Sequence, residues 1–318
     1  MEIIRGLHNL RPRHRGCAAT VGAFDGVHLG HRAVLEHLKS EAARLGVAST
    51  VIFFEPLPRE YFQPLEAPAR LMNFREKCVA LRDVGIDQAL CLRFDERVRN
   101  MSADGFIEAV FSRGLEAQYI AIGDDFRFGK SREGDLRYMA ERAQEYGYEV
   151  RSTSTLARSG ERVSSTRIRA ALAEGDFQLA AELLGRRFVM GGRVLHGKQL
   201  GRQLGFPTAN IALHRLRAPV QGVFVVSVTG EGLDSVPALA NVGVRPTVED
   251  SIRANLEVHL IDVDEDLYGR RLTVNFLHKL RDENKFEGIE ALRAAISNDL
   301  EQARQWLATY HGWGRGFR

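Results

Sequence analysis

Residues 18–31 read AATVGAFDGVHLGH. A short β-prone run, AATVGAF (18–24), passes into a glycine-punctuated turn. After the turn Val34, Leu35, Leu38, Ala42 and Leu45 fall on one helical face. The cycle then returns. STVIFF (49–54) reads as a strand and LMNFREKCVALRDVG (71–85) as a helix ending at a glycine. QALCL (88–92), ADGFIEAVFSRG (103–114) and QYIAIG (118–123) repeat the order. Strands alternating with helices of this length predict an α/β domain of Rossmann-like type, a parallel sheet with helices on both faces. Ligands on such sheets bind beyond the C-terminal strand ends, so the loops after Phe24, Phe54 and Gly123 are expected to share a rim.

Past about residue 185 the pattern changes. GRVLHG (192–197), VFVVSVT (223–229), VPALANVGV (236–244), RANLEVHLID (253–262) and LTVNFLHKL (272–280) are short strand-like runs parted by Gly, Pro and Asp turns, with no helices between them. That spacing predicts an antiparallel barrel or sandwich. A last helix carries Ile289, Leu292, Ile296, Leu300, Ala303 and Leu307 on one face. At 318 residues the chain exceeds one usual core, and two domains are expected, 1–182 and 183–318, divided at the helix ending at Leu184–Gly185.

Hydrophobic residues make up 44% and charged residues 27%, which excludes disordered and fibrous classes. The longest apolar run, Val223–Val228, is far too short to span a membrane, and the N-terminus does not read as a signal peptide. Of 44 basic residues 38 are arginine, but they are dispersed and nearly balanced by 41 acidic ones, giving no footprint for nucleic acid. Cys17, Cys78 and Cys91 are odd in number and form no CxxC, so they are expected to be reduced in a cytoplasmic protein.

GAFDGVHLGH (22–31) is the strongest local signal. His28 and His31 sit where a strand gives way to a helix whose free N–H groups attract phosphate. The bland alternative is a turn with two surface histidines. GDDFRFGKS (123–131) has one residue too many for a Walker loop. In RVSSTRIR (162–169), Ser165 and Thr166 can cap the helix that follows, or join the arginines in holding a triphosphate, the reading favoured here. GRVLHGKQ (192–199) lacks the Ser or Thr of a Walker loop, though its glycines allow close backbone approach. In GFPTAN, Thr208 and Asn210 lie two apart and face the same way in an extended segment, a neutral oxygen pair suited to magnesium. Glu257 lies in an alternating strand and on that ground alone could simply face solvent.

Together GAFDGVHLGH, FFEPLPREYF (53–62), GDDFRFG and RVSSTRIR resemble the adenylyltransferase module of the bacterial bifunctional riboflavin kinase/FAD synthetases. GKQLGRQLGFPTAN (197–210), NVGVRPTV (241–248), LEVHLIDVDEDLYG (256–269) and FLHKLRDENKFEGIEAL (276–292) extend the resemblance through the kinase half. It implies a nucleotidyltransferase domain followed by a riboflavin kinase β-barrel with a closing helix. Riboflavin would be phosphorylated by ATP to FMN, releasing ADP, and FMN adenylylated by a second ATP to FAD, releasing pyrophosphate, with Mg2+ required and no nucleic acid or membrane partner. The resemblance implies that His28 and His31 form the HxGH signature. Gly22, Phe24, Asp25, Asp125, Arg162, Ser165, Thr166 and Arg169 would bind ATP in the first domain. In the second, Gly197, Lys198, Gly201, Gly205, Pro207, Arg281 and Asp282 would bind ATP or flavin, Thr208 and Asn210 the metal, and Glu257 would be the general base. One departure stands in the first domain: Pro56-Leu57-Pro58 replaces the family's PHP, which removes any histidine contribution there. The rival readings are an adenylyltransferase with another acceptor and a flavin carrier with an idle half.

Overall fold

The structure is a computed structural model describing residues 1–153, 156–158, 160–197, 201, 204–246 and 252–310. Lys198 lies outside the described residues. The chain divides into two compact units, Met1–Pro68 with Phe74–Ser164, and Ala69–Asn73 with Ser165–Arg318.

The first unit runs β1 (Glu2–Arg5), β2 (Cys17–Val21), α1 (Leu29–Leu45), β3 (Ala48–Glu55), α2 (Pro58–Phe62), α3 (Phe74–Val84), β4 (Gln88–Arg93), α4 (Glu96–Arg99), α5 (Ala103–Phe106), β5 (Tyr119–Gly123), α6 (Leu136–Tyr146) and β6 (Glu149–Thr153). A hairpin follows, β7 (Ala157–Arg158) and β8 (Glu161–Arg162). The six long strands form one sheet ordered β1-β4-β3-β2-β5-β6, parallel throughout. From β2 the chain winds outward through β3 to β4, then returns to place β5 on the other side of β2. That reversal is a topological switch point, where a crevice opens between the C-terminal ends of β2 and β5. β2 is buried on both faces: Cys17, Ala19 and Val21 pack in a core with Phe106, Val110, Phe111 and Met139, and α1 covers the opposite side.

Two local expectations are corrected. The helix expected from residue 71 begins at Phe74, because Ala69–Asn73 belong to the second unit. The helix expected over 103–114 is α-helical only to Phe106 and continues as a π-helix through Ser112, so its carbonyls bond five residues on, as from Val110 to Leu115.

The second unit holds α7 (Ser165–Glu174), α8 (Phe177–Leu184), β9 (Val189–Leu195), β10 (Ala209–Ile211), β11 (Gly222–Gly230), β12 (Leu233–Pro246), β13 (Ile252–Leu260), β14 (Arg271–Arg281) and α9 (Ile289–Thr309). The strands close into an antiparallel barrel ordered β10-β13-β12-β11-β14-β9. The apolar run of β11 has a double cause. Phe224, Val226 and Val228 fill one face, while Val223 and Val225 on the other pack with Leu239 and Ala303 under α9. The apolar face drawn for α9 is only partly buried: Ile289 is 67% exposed, and Asp299, which the apolar periodicity passes over, is 2% exposed. Arg281 grips Asp299 through two bonds of 2.8 and 2.7 Å. A bidentate pair of this kind fixes the angle at which the helix meets the barrel.

α8 is part of the barrel's core. Phe177 packs edge-on to Phe224 at 5.8 Å and stacks on Phe276 at 5.9 Å. Ala69–Asn73 is bound into the same unit: Arg169 donates to the Ala69 carbonyl at 2.6 Å, Arg215 to the Arg70 carbonyl at 3.1 Å, and Asn73 to the Leu213 carbonyl at 3.1 Å. A fragment starting at residue 183 loses Phe177, whose truncation in a core costs about 3–5 kcal/mol. Residues 165–318 are therefore expected to unfold at clearly higher denaturant than 183–318. Equal midpoints in urea would refute a core role for α8.

Candidate active sites

The loop leaving β2 is bent tightly. Phe24 and Val27 have φ of 46° and 39°, left-handed values that side chains with a Cβ rarely adopt. Each such residue costs about 1–3 kcal/mol and persists where its surroundings force it. The outcome is a histidine cap. His28 is the N-cap of α1, and its Nδ1 accepts the His31 backbone N–H at 3.2 Å. An acceptor at Nδ1 places the ring proton on Nε2, leaving that edge as a donor. The two rings stack at 3.6 Å between centroids and 15° between planes. Gly30 is required between them. A Cβ there would stand 3.2 Å from the His28 ring and 3.2 Å from the Val163 carbonyl oxygen. No acidic residue occupies the first turn of α1, so the positive end of its dipole is not neutralised from within the helix.

Arg162, at the end of β8, pairs with Asp125 of the loop after β5 at 3.0 Å. This ion pair links the GDDFRFG loop to the first residue of RVSSTRIR. Asp25 is buried within the turn. Ser165 and Thr166 open α7, and Arg169 holds the Ala69 carbonyl. The sequence reading passed over two features of this half. Lys77 is buried, its ammonium 4.8 Å from the Phe53 ring centroid. Tyr61, Phe62 and Phe94 cluster edge to face beyond β3 and β4, with Phe62 54% exposed. The motif FFEPLPREYF held a signal for the aromatic cluster, whereas a buried lysine has none in a single sequence.

Burial drives the His31 pKa well below its ordinary 6.5, assisted by the fields of His28, Lys77 and Arg162. The same positive surroundings favour a polyphosphate. An unfolded chain protonates His31 near pH 6.5 and the folded one does not, so this part of the stability is complete above pH 6.5 and falls as the pH drops below it. The limiting slope is about 1.4 kcal/mol per pH unit. Urea unfolding between pH 7.5 and 5.5 should show the decline in the wild type and a flatter profile in His31→Asn. Parallel profiles would refute a neutral, partly buried His31 ring.

On the barrel, register gathers the second group. Asn210 of β10 pairs directly with Glu257 of β13, and Glu257 with Asn241 of β12. Directly paired residues share a face, so these three form a row across three strands, opposite the face on which Leu256 and Val258 are buried in the barrel. Asn255 donates to Glu257 Oε1 at 2.9 Å and holds the carboxylate in one orientation. Ala209 is buried while its neighbours Thr208 and Asn210 are only partly so, the alternation expected for this pair. Asn210 Oδ1 and Asn241 Oδ1 are both buried without a hydrogen-bond partner among the described residues. A Cβ on Gly197 would collide with the Asn210 amide, and one on Gly201 would lie 3.1 Å from Thr208 Oγ1. Gly197 and Gly201 therefore approach the Asn210 and Thr208 side chains closely. Near Thr208 is a cavity of about 310 Å³ lined by apolar residues such as Val194, Ala209 and Val258 and by the acidic run Asp264, Glu265 and Asp266. Gly205 is at φ 88°, and the Pro207 carbonyl meets His259 Nδ1 at 2.8 Å. Arg281 is engaged by Asp299, and Asp282 by Lys279 at 2.7 Å.

Residues 10–167 match the FAD synthetase family model and residues 184–307 the riboflavin kinase model. The bifunctional riboflavin kinase/FMN adenylyltransferase of Pseudomonas fluorescens is 51% identical over 97% of this chain and 98% of its own length. The chain belongs to this family. The enzyme of the same description from Escherichia coli K12 is 46% identical over 96% of this chain and 98% of its own. A crystal structure described as a macrolide-efflux protein from Streptococcus pneumoniae superposes with a TM-score of 0.75 at 28% identity, covering 96% of this chain and all of that one. Among the described residues of this family member no helix is long and apolar enough to cross a membrane.

Proposed function

We propose that the family's two reactions run on the residues described above, adenylyl transfer within 1–182 and phosphorylation within 183–318. The enzyme converts riboflavin and ATP to FMN and ADP, then joins FMN to the AMP portion of a second ATP, releasing pyrophosphate and forming FAD. The observation that carries the reading is the coexistence of two unlike sites in one chain. One is a histidine-capped helix N-terminus at a switch point; the other is a carboxylate set between two orphaned amide oxygens on a barrel.

In the kinase half Glu257 takes the proton of the riboflavin 5′-hydroxyl as its oxygen forms a bond to the γ-phosphorus of ATP. The bond to the bridging oxygen breaks and ADP leaves. Phosphoryl transfer needs alignment and charge compensation more than covalent help, so one oriented base suffices from the protein. The cavity beside Thr208 carries the carboxylates of Asp264, Glu265 and Asp266 in its lining, which disfavour the triphosphate inside it.

The residues fit Mg2+. Among the described residues Asn210 Oδ1 is a buried oxygen without a donor, and Thr208 adds a hydroxyl on the same side. Thr208 and Asn210 would hold it, and it would supply charge compensation to the triphosphate.

In the other half an FMN phosphate oxygen attacks the α-phosphorus of ATP, and the bond to pyrophosphate breaks. His28 donates from Nε2 to the developing charge, the α1 N-terminus holds the phosphates, and Arg162, Ser165, Thr166 and Arg169 contribute as the sequence motif assigns. Three free, buried cysteines accord with a reducing cytoplasm.

Incubation of purified protein with riboflavin, ATP and Mg2+ should yield FMN first and FAD after it. Accumulation of FMN without FAD, or binding of flavin without turnover, would refute the reading.

A further inference from the structure

The Mg2+ reading uses only one of the two orphaned oxygens. Asn241 Oδ1 lies on the other side of Glu257 from Asn210, one strand further on. Adjacent strands are about 4.8 Å apart, so the two asparagines are separated by roughly 10 Å along the row. Glu257 stands between them on the central strand, so a metal held on the Asn210 side leaves the Asn241 oxygen to another partner. A buried amide oxygen left without a donor is costly, and such a group signals a ligand that supplies the donor.

The surroundings indicate which donor. On the far side of Asn241 the row continues to Val223, buried under α9, and the carboxylate of Glu283 overlies Gly243, where a Cβ would lie 2.8 Å from its Cδ. The near side is Glu257, the base that receives a hydroxyl proton. An acceptor flanked by two carboxylates and an apolar wall suits neutral hydroxyl groups and repels phosphate. We propose that Asn241 is a specificity-determining residue of the kinase site, its amide oxygen accepting a hydrogen bond from a hydroxyl on the polyol chain of the flavin substrate. Nucleotide and metal then occupy the Asn210 side of Glu257, and the acceptor's sugar-alcohol chain the Asn241 side. This inference rests on the kinase reading above.

The test compares Asn241→Leu and Asn241→Ala with wild type. Each should raise the KM for riboflavin about tenfold, the worth of one buried hydrogen bond near the upper end of its range. The KM for ATP, the Mg2+ concentration for half-activation and FAD formation from supplied FMN should stay unchanged. Asn241→Leu should also raise the melting temperature of the ligand-free protein, because it removes an unsatisfied acceptor, and should shrink the further rise produced by riboflavin. A residue with only a structural role would instead lower the ligand-free melting temperature. An unchanged riboflavin KM overturns the proposal. A raised Mg2+ requirement also overturns it, by assigning the oxygen to the metal. If Asn241→Leu fails to fold, Asn241→Ala decides on the same readouts, with intact adenylyl transfer reporting a sound preparation. Wild-type protein that phosphorylates no riboflavin would defeat the kinase reading itself, and the assignment of Asn241 would fall with it.

Discussion

Glu257→Gln is expected to lower riboflavin phosphorylation by about 10²- to 10⁴-fold, the usual worth of a positioned general base. The substitution suits the question because glutamine keeps the length of the side chain and an oxygen for Asn255 to donate to, at the 2.9 Å now seen. What disappears is the site that takes a proton. The row Asn210–Glu257–Asn241 is set by strand register, which a single isosteric change on its exposed side leaves in place. Riboflavin and ATP affinities should therefore change little, since the lost interaction acts mainly in the transition state. FAD formation from supplied FMN should be unaffected. Loss of both activities would indicate a folding defect, whereas retained kinase activity would show Glu257 to be a bystander.

The parallel sheet was legible because its signals are local and redundant. The inner strands β2 to β5 are buried along most of their length and each crossover carries its own helical periodicity, so AATVGAF, STVIFF and QYIAIG could be read one at a time. HxGH was legible for the same reason, since strand end, turn and helix start lie within one short stretch. What could not be read depends on partners distant in sequence. Asp299 looks like an ordinary surface residue of an amphipathic helix until Arg281 is seen against it. Phe177 lies before the change of pattern, yet its ring belongs to the barrel through Phe224 and Phe276. Ala69–Asn73 precedes a helix of the first unit but is held by Arg169 and Arg215 of the second.

The kinase site shows the same divide within a few residues. Thr208 and Asn210 could be paired from their spacing alone, because one strand supplies both. Asn241 could not, because it reaches Glu257 only through the β12–β13 register, and a change of one residue in that register would turn it to the other face. Arg281 illustrates the converse. The resemblance implies that it binds ATP or flavin, and its fork also holds the α9 carboxylate and braces the helix that covers Val223 and Val225, a contact that no motif shows.

His28→Ala should reduce FAD formation from FMN by at least ~10²-fold, the scale of losing one transition-state donor, and leave riboflavin phosphorylation unchanged. Alanine alone does not settle the cause, because His28 holds two roles on two ring nitrogens. Nδ1 caps α1 through the His31 N–H, and Nε2 carries the ring proton. Removing a side-chain cap costs about 0.5–2 kcal/mol and could loosen the helix end that binds phosphate. His28→Asn separates the two. Its side-chain oxygen can cap in place of Nδ1, but its amide cannot reach as far as Nε2 does across the ring. If the donor matters, both variants lose adenylyl transfer by a similar factor, while only His28→Ala lowers the melting temperature. If the cap matters, asparagine restores stability and rate together. Near-wild-type FAD synthesis by either purified variant would remove His28 from the chemistry and leave the His28–His31 stack as a feature of folding alone.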